Sequence, residues 1–378
     1  MIDESLLKSE ERAAIELRSL YRRYGYLQYK MSKFEEYELY IRNKDFLVSD
    51  RIITFNDTSG RLLALKPDVT LSIIKNGEDI PGTKQKVSYT ENVYRVSERT
   101  RQYKEIMQAG LECIGDIDLY DKFEVISLAA DSLAQISDNF VLQVSHLGLS
   151  GAVLGMISSD PAFTKKALAL LSQKNAHDLL RLASEYGADE SAKRAVSTLI
   201  CAAGSRDEVL DSLSEVCPPE AAPALAEIRE LSELLKLSPH SDRIELDFSV
   251  INDMNYYNGF VFKGFLPGVC KGILSGGQYD RLMRKMGRRA CAIGFALYLD
   301  MLSELESPRG GYDADILLLY GEKTAKADIV SAVNDFVGRG LTVRAERSIP
   351  QRLRYKTLVR LDGCADPTQS GKEEAANA

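Results

Sequence analysis

Two stretches decide the fold: Asn252-Asp253-Met254-Asn255-Tyr256-Tyr257-Asn258-Gly259-Phe260-Val261-Phe262 and, a little further on, Ser275-Gly276-Gly277-Gln278-Tyr279-Asp280. Their surroundings carry strand character over 256–265 and 270–275. A helix follows over 280–286, then a strand passing into a helix over 290–305. Both stretches set tyrosine beside glycine. A phenol can donate or accept a hydrogen bond, and a strand glycine lets a ligand or another backbone come close. The chain has 18 tyrosines, so a pair of core tyrosines alone would mean little. Their position inside two glycine-bearing stretches makes Tyr257 and Tyr279 candidates for a binding pocket.

These stretches resemble the histidine-binding signatures of histidyl-tRNA synthetase, a class II aminoacyl-tRNA synthetase, written Arg-Gly-Leu-Asp-Tyr-Tyr-Thr-Gly and Gly-Gly-Arg-Tyr-Asp in that family. The tyrosines and glycines remain, but Asn252 stands where the resemblance places a catalytic arginine. Leu65-Lys66-Pro67-Asp68-Val69-Thr70 resembles the family's Leu-Arg-Pro-Glu-Gly-Thr, which implies that Asp68 and Thr70 hold the amino group of histidine. Taken alone, Pro-Asp-x-Thr is an ordinary turn or helix cap. Asn92-Val93-Tyr94-Arg95 through Gln108-Ala109-Gly110-Leu111-Glu112-Cys113-Ile114-Gly115 is similar to motif 2 of the class. Strand alternation puts Gln108, Gly110 and Glu112 on one face, where Gly110 is expected to leave open space over the sheet. The resemblance implies that Gln108 helps hold the amino group, Glu112 reads the imidazole and Arg95 pairs with the carboxylate.

The departures from the family are equally informative. Ile293-Gly294-Phe295-Ala296-Leu297-Tyr298-Leu299-Asp300-Met301-Leu302 resembles motif 3, but Met301 replaces its arginine and Tyr298 its adenine-packing glycine. Amino-acid activation accumulates negative charge on phosphorus, and losing one such stabilising contact costs on the order of 10²–10³ in rate. Loss of both arginines, at 252 and 301, implies that adenylate formation is abolished. The loop between Arg95 and Gln108 is one residue short of the family pattern and lacks its glycine; basic Arg99, Arg101 and Lys104 remain there.

Outward from the motifs, residues 9–24 space Ala13 or Ala14, Leu17, Leu20 and Tyr21 as one helix face, with Gly25 as its stop. Residues 52–55 and 62–65 flank Asn56-Asp57-Thr58-Ser59-Gly60, a β-hairpin pattern. A second antiparallel pair is expected over 87–94 and 106–114, a helix over 122–135 and a strand over 140–145. From about 150 to 240 the chain turns rich in Ala, Leu, Ser, Lys and Glu with helical spacing. A strand is expected over 244–251, a β-α-β-like unit over 315–344 and a polar tail after 366.

The 378 residues carry a net charge of −7, which argues weakly against non-specific nucleic-acid binding. Six cysteines without a C-x-x-C pair read as reduced thiols. His146, His177 and His240 are too scattered to suggest a local metal site. No apolar run approaches the roughly 20 residues of a membrane span, and a cytoplasmic protein is expected.

The resemblance thus implies an α+β fold: a class II synthetase-like antiparallel sheet flanked by helices, with an all-helical insertion and a truncated α/β C-terminal unit. Residues 1–149 and 243–310 would form the core, 150–242 the insertion, 311–362 a partial anticodon-binding-domain-like unit and 363–378 a disordered tail. A histidine pocket without its catalytic cations is similar to that of a paralogous family, the regulatory subunits of ATP phosphoribosyltransferase, the first step of histidine biosynthesis. That family implies a non-catalytic chain without cofactor or metal, homodimeric through its core and assembled with a short-form catalytic subunit. Histidine would be its effector and tRNA no partner. An active histidyl-tRNA synthetase and a synthetase-like regulator with another partner are the alternatives.

Overall fold

Ala13, Ala14, Leu17, Leu20 and Tyr21 are buried along one side of the first helix, α1 (Ser9–Arg23), and Gly25 follows in the left-handed region at φ +82°. That conformation costs glycine nothing and ends the helix. The computed structural model describes residues 7–44, 47, 52–77, 80, 82–96, 100–251, 256–269, 271–305 and 312–361. Asn252, Arg99 and the polar tail lie outside the described residues. Contacts separate two units, Met1–Leu305 and Glu306–Ala378.

The first unit continues through β1 (Leu27–Gln28), β2 (Phe34–Glu36), α2 (Tyr37–Arg42), β3 (Thr54–Asn56), β4 (Leu62–Leu65) and α3 (Thr70–Asn76). Then come the long strands β5 (Lys84–Val96) and β6 (Tyr103–Gly115), α4 (Leu119–Ala134) and β7 (Val141–His146). The helical stretch follows as α5 (Leu147–Gly155), α6 (Pro161–Ser172), α7 (Ala176–Glu185) and α8 (Glu190–Cys201). A two-residue strand, β8 (Ala203–Gly204), precedes α9 (Arg206–Ser214) and α10 (Ala222–Leu235). The unit closes with β9 (Ile244–Asp247), β10 (Phe260–Phe265), β11 (Leu274–Gln278), α11 (Asp280–Lys285) and β12 (Cys291–Tyr298), which runs into a 3-10 turn, Leu299–Glu304.

Nine strands form one sheet in the order β1-β5-β6-β12-β11-β10-β7-β9-β8. The pairings from β5 to β7 are antiparallel. The β1–β5 and β7–β9 pairs are parallel. A separate three-stranded sheet, β2-β4-β3, contains the expected hairpin, with Thr54 opposite Ala64. Alternation divides the main sheet cleanly. Ala109, Leu111 and Cys113 of β6 pair with Leu297, Phe295 and Ile293 of β12 and join the buried core of α1 and α4. Gln108, Gly110 and Glu112 therefore share the opposite face, as their spacing predicts.

Several boundaries differ from expectation. The strand expected over 270–275 lies at Leu274–Gln278, so Gly276 and Gly277 lie inside the strand rather than beyond its end. A Cβ at Gly276 would come within 2.5 Å of the Phe262 ring and of Phe295 Cβ. These glycines serve close packing in mid-sheet. The strand expected over 244–251 ends at Asp247, whose carboxylate accepts from Ser249 N–H and Oγ–H at 2.9 and 2.6 Å. That local bond folds the chain away from the sheet.

The helical stretch from α5 to α10 is tied to the sheet through polar contacts. Ala203 and Gly204 add β8 to the edge strand β9, and Lys174 Nζ meets the buried Asp247 at 2.9 Å. Glu227 of α10 pairs with Lys122 of α4 and lies 3.4 Å from His146 Nε2. The second unit contains β13 (Ala314–Leu319), α12 (Lys326–Gly338), β14 (Val343–Glu346) and β15 (Tyr355–Arg360). Its sheet is fully parallel in the order β14-β13-β15. The expected β-α-β unit is present, and β15 is a third strand that the sequence reading did not anticipate.

Candidate functional site

The cavity face of the main sheet is built on glycine. Glu112 on β6, Gly294 on β12 and Gly277 on β11 are paired across three adjacent strands. A Cβ at Gly294 would sit 1.8 Å from Glu112 Oε2, and one at Gly277 2.7 Å from the ring of Tyr257. The glycines thus provide the volume that the Glu112 carboxyl and the Tyr257 phenol occupy. Gly110 behaves in the same way but against expectation. The space above it is filled by Tyr89, whose hydroxyl would lie 2.6 Å from a Cβ there. The open platform expected at Gly110 is a seat for a phenol.

Over this floor lies a cavity of about 810 Å³. It brings together Asp68, Thr70, Arg95, Gln108, Glu112, Tyr257 and Tyr279, the whole set of candidate binding residues, with Met301 also on its wall. Sequence reading missed Tyr89, Tyr256, Lys263 and Lys271, which line the same space. Tyr256 had a signal, standing beside Tyr257 in the first signature.

Glu112 is the polar centre. Thr70 Oγ1 donates to its Oε1 and the Tyr279 hydroxyl to its Oε2, both at 2.7 Å. Burial pushes its carboxyl up to about 8, against the two hydroxyl bonds that favour ionisation, and the nearby Asp68 raises it further. Burial also raises the phenols of Tyr89, Tyr256 and Tyr279, which stay protonated and available as donors. The rings of Tyr256 and Tyr257 stand 4.6 Å apart, and those of Tyr256 and Tyr279 5.7 Å.

Asp68 Oδ1 accepts from Leu71 N–H at 2.9 Å in the first turn of α3, the turn role its local sequence suggests, while the residue also lines the cavity. Burial raises its carboxyl and Arg95 opposes that shift. Arg95 is itself held by donating Nε–H to Pro67 O at 3.0 Å. Beneath this loop the fully buried Lys66 pairs with Glu91 at 2.8 Å, which fixes the strand leading into Pro67.

The two signature stretches are locked together by Asp280. Its Oδ2 accepts from Asn258 Nδ2 at 3.0 Å and Gln278 Nε2 at 2.7 Å, and its Oδ1 from Ala292 N–H at 3.0 Å. Asn258 N–H also donates to Gln278 O at 3.0 Å. Three strand ends therefore converge on one buried carboxylate.

An acidic corner lined by hydroxyls, with one arginine beside it, suits a ligand carrying a cationic nitrogen and a carboxylate. Among the described residues, no group of three or more His, Cys, Asp or Glu could hold a metal ion.

Fold and cavity together define a class II synthetase-like protein. The histidyl-tRNA synthetase family model matches residues 2–302, and the chain belongs to that family. A relative from Moorella thermoacetica, 28% identical over 96% of this chain and 89% of its own, is an ATP phosphoribosyltransferase regulatory subunit. Among solved structures, an ATP phosphoribosyltransferase regulatory subunit/histidyl-tRNA synthetase from Bacillus halodurans superposes with a TM-score of 0.74. It is 22% identical, over 95% of this chain and 96% of that one. An ATP phosphoribosyl transferase (HisG:HisZ) complex from Thermotoga maritima gives a chain with a TM-score of 0.61 at 18% identity, covering 79% of this chain and 97% of its own. These likenesses establish the class II synthetase-like fold.

Proposed function

We propose that this chain is the non-catalytic regulatory subunit of an ATP phosphoribosyltransferase, binding histidine as effector in the cavity around Glu112. Met301 carries the reading: it lines the cavity at the position where the resemblance places an activating arginine. A thioether can hold a ligand but cannot neutralise a developing phosphoryl charge. The names of the similar proteins support the same assignment.

In this reading Glu112 and Tyr279 take the imidazole, while Tyr257 closes over it. Asp68, Thr70 and Gln108 hold the ammonium and Arg95 the carboxylate. A subunit that binds a ligand without transforming it acts only by binding that ligand differently in two states of an assembly. The partner is the short-form catalytic subunit, in keeping with the two-component HisG:HisZ make-up of the Thermotoga complex. Self-association through the core is supported by apolar side chains left exposed beside the sheet edge and on the small sheet: Leu27, Phe34, Phe55 and Leu62. Specific tRNA binding is not part of this function.

The test is to mix the purified chain with the catalytic subunit and measure phosphoribosyl transfer with and without histidine. Co-elution and a histidine-sensitive gain in activity are expected. Failure to co-elute, with no gain, rejects the assignment and leaves a synthetase-like regulator of another partner.

A further inference from the structure

A fully buried lysine calls for a reason, because taking an ammonium out of water can cost more than its ion pair regains. Lys66 is such a residue: its side chain is 0% exposed, and that of its partner Glu91 is 16% exposed. An apolar pair would fill the same space with no loss of stability. What the ion pair supplies is position. Lys66 follows β4 of the small sheet and precedes Pro67 and Asp68. Its N–H donates to Lys33 O at 3.0 Å, and its carbonyl accepts from Tyr94 N–H of β5 at 2.8 Å. Its ammonium donates to Glu91 Oε2 at 2.8 Å. Tyr94 and Glu91 stand roughly 10 Å apart along the strand. The segment is thus fastened to the main sheet at two separated points, which fixes its register and its tilt together.

Both points lie beside the end of the cavity that the proposed function gives to the amino and carboxyl groups of the ligand. Glu91 is paired with Gln108 across the β5–β6 ladder, so the two side chains share a face. Glu91 Oε1 also accepts from Met31 N–H at 3.5 Å, which holds the carboxylate from its other side. Next to Tyr94, Arg95 donates Nε–H to the carbonyl of Pro67, the residue directly after Lys66. Asp68 follows, bonded to Leu71 N–H. A shift of Lys66 therefore moves the support of Arg95 and the carboxylate of Asp68 together. The bond from Tyr279 to Glu112 in the imidazole corner involves neither Lys66 nor Glu91.

We infer that Lys66, through its bond to Glu91, is the positioning residue of the cavity's amino-acid end. It sets Arg95 and Asp68 at the separation that tells an α-amino acid from a ligand bearing imidazole and amine alone. The inference rests on the histidine reading above and adds to it a residue outside the cavity wall.

Calorimetric titration of the full chain with L-histidine and with L-histidinol, which lacks the carboxylate, tests it. The wild type is compared with Lys66→Arg, Lys66→Met, Glu91→Gln and the double variant Lys66→Met/Glu91→Gln. The wild type should prefer histidine by at least about tenfold, since its contact with Arg95 is charge-assisted. Lys66→Met and Glu91→Gln should bring that ratio down toward one by weakening histidine, and Lys66→Arg should keep it. The double variant separates position from stability. With both charges gone, its melting temperature should exceed that of Lys66→Met, while its ratio stays low. A common fall in affinity for both ligands, or a wild-type ratio in the double variant, overturns the inference and leaves the pair a staple of the fold. A wild type that does not bind histidine, or does not prefer it to histidinol, rejects the histidine reading itself and the inference with it. The wild-type titrations thus separate the two failures.

Discussion

Glu112 is held by two neutral hydroxyls and no cation, which is why burial dominates its ionisation. With the folded value near 8 and the unfolded one at 4.5, the folded protein keeps a proton that the unfolded chain releases between those limits. The stabilisation from this group is complete below pH 4.5 and is lost as pH rises through about 8. Glu112→Gln should remove that slope, so the melting temperature of the variant relative to wild type should climb as pH rises through this window. A difference independent of pH would mean that Glu112 ionises alike in both states. The same substitution removes the carboxylate that Glu112 would form on giving up its proton to a bound imidazole or facing a bound ammonium, and a lost charged hydrogen bond costs roughly 1.5–3 kcal/mol. Histidine affinity measured by calorimetry should fall about tenfold or more. Unchanged affinity would place the effector site elsewhere.

At the scale of elements, the site depends on how closely strands carry large side chains over glycine. Gly294→Ala would drive a methyl group to 1.8 Å from Glu112 Oε2 and 2.5 Å from Leu111 O. Backbone on one side and a doubly bonded carboxyl on the other leave little room to relax. A loss of about 1–3 kcal/mol in urea unfolding and abolished histidine binding are expected. Gly151, inside α5, has nothing within 4 Å of its missing Cβ. Gly151→Ala should therefore stabilise by about 0.5–1 kcal/mol through helix propensity. If both substitutions behave alike, close packing is not what the strand glycines serve.

At the scale of the whole molecule, the chain should be catalytically silent. Met301 on the cavity wall and Asn252 in the sequence stand where the resemblance places the two arginines whose charge amino-acid activation would use. Purified protein should give no histidine-dependent exchange of pyrophosphate into ATP; exchange at a synthetase-like rate would restore the enzyme reading. Linkage adds a quantitative expectation for the complex. If histidine changes the affinity of the catalytic subunit for its substrates by some factor, those substrates must change histidine affinity by the same factor. Titrating histidine into the complex with and without the substrates measures both sides, and unequal factors would break the two-state description.

The sequence by itself determined the elements with strong local signals. Apolar spacing set α1 and α4, turn chemistry set the hairpin of β3 and β4, and period-two alternation set the cavity face of β6. Seven residues that line the cavity were also legible, because short motifs keep residue identity at fixed spacing. The tertiary structure alone decided what depends on partners distant in sequence. The strand expected over 270–275 stops short of Gly276 and Gly277, yet they lie in mid-sheet, with Phe262, Phe295 and Tyr257 packed where their side chains would be. Gly110 read as open space, and Tyr89 on the neighbouring strand fills it. Lys263 carries no motif; only the ladder that sets β10 beside β11 brings it to the cavity of Glu112. The third parallel strand, β15, was missed for the same reason, since strand pairing rewards contacts that a local window does not contain.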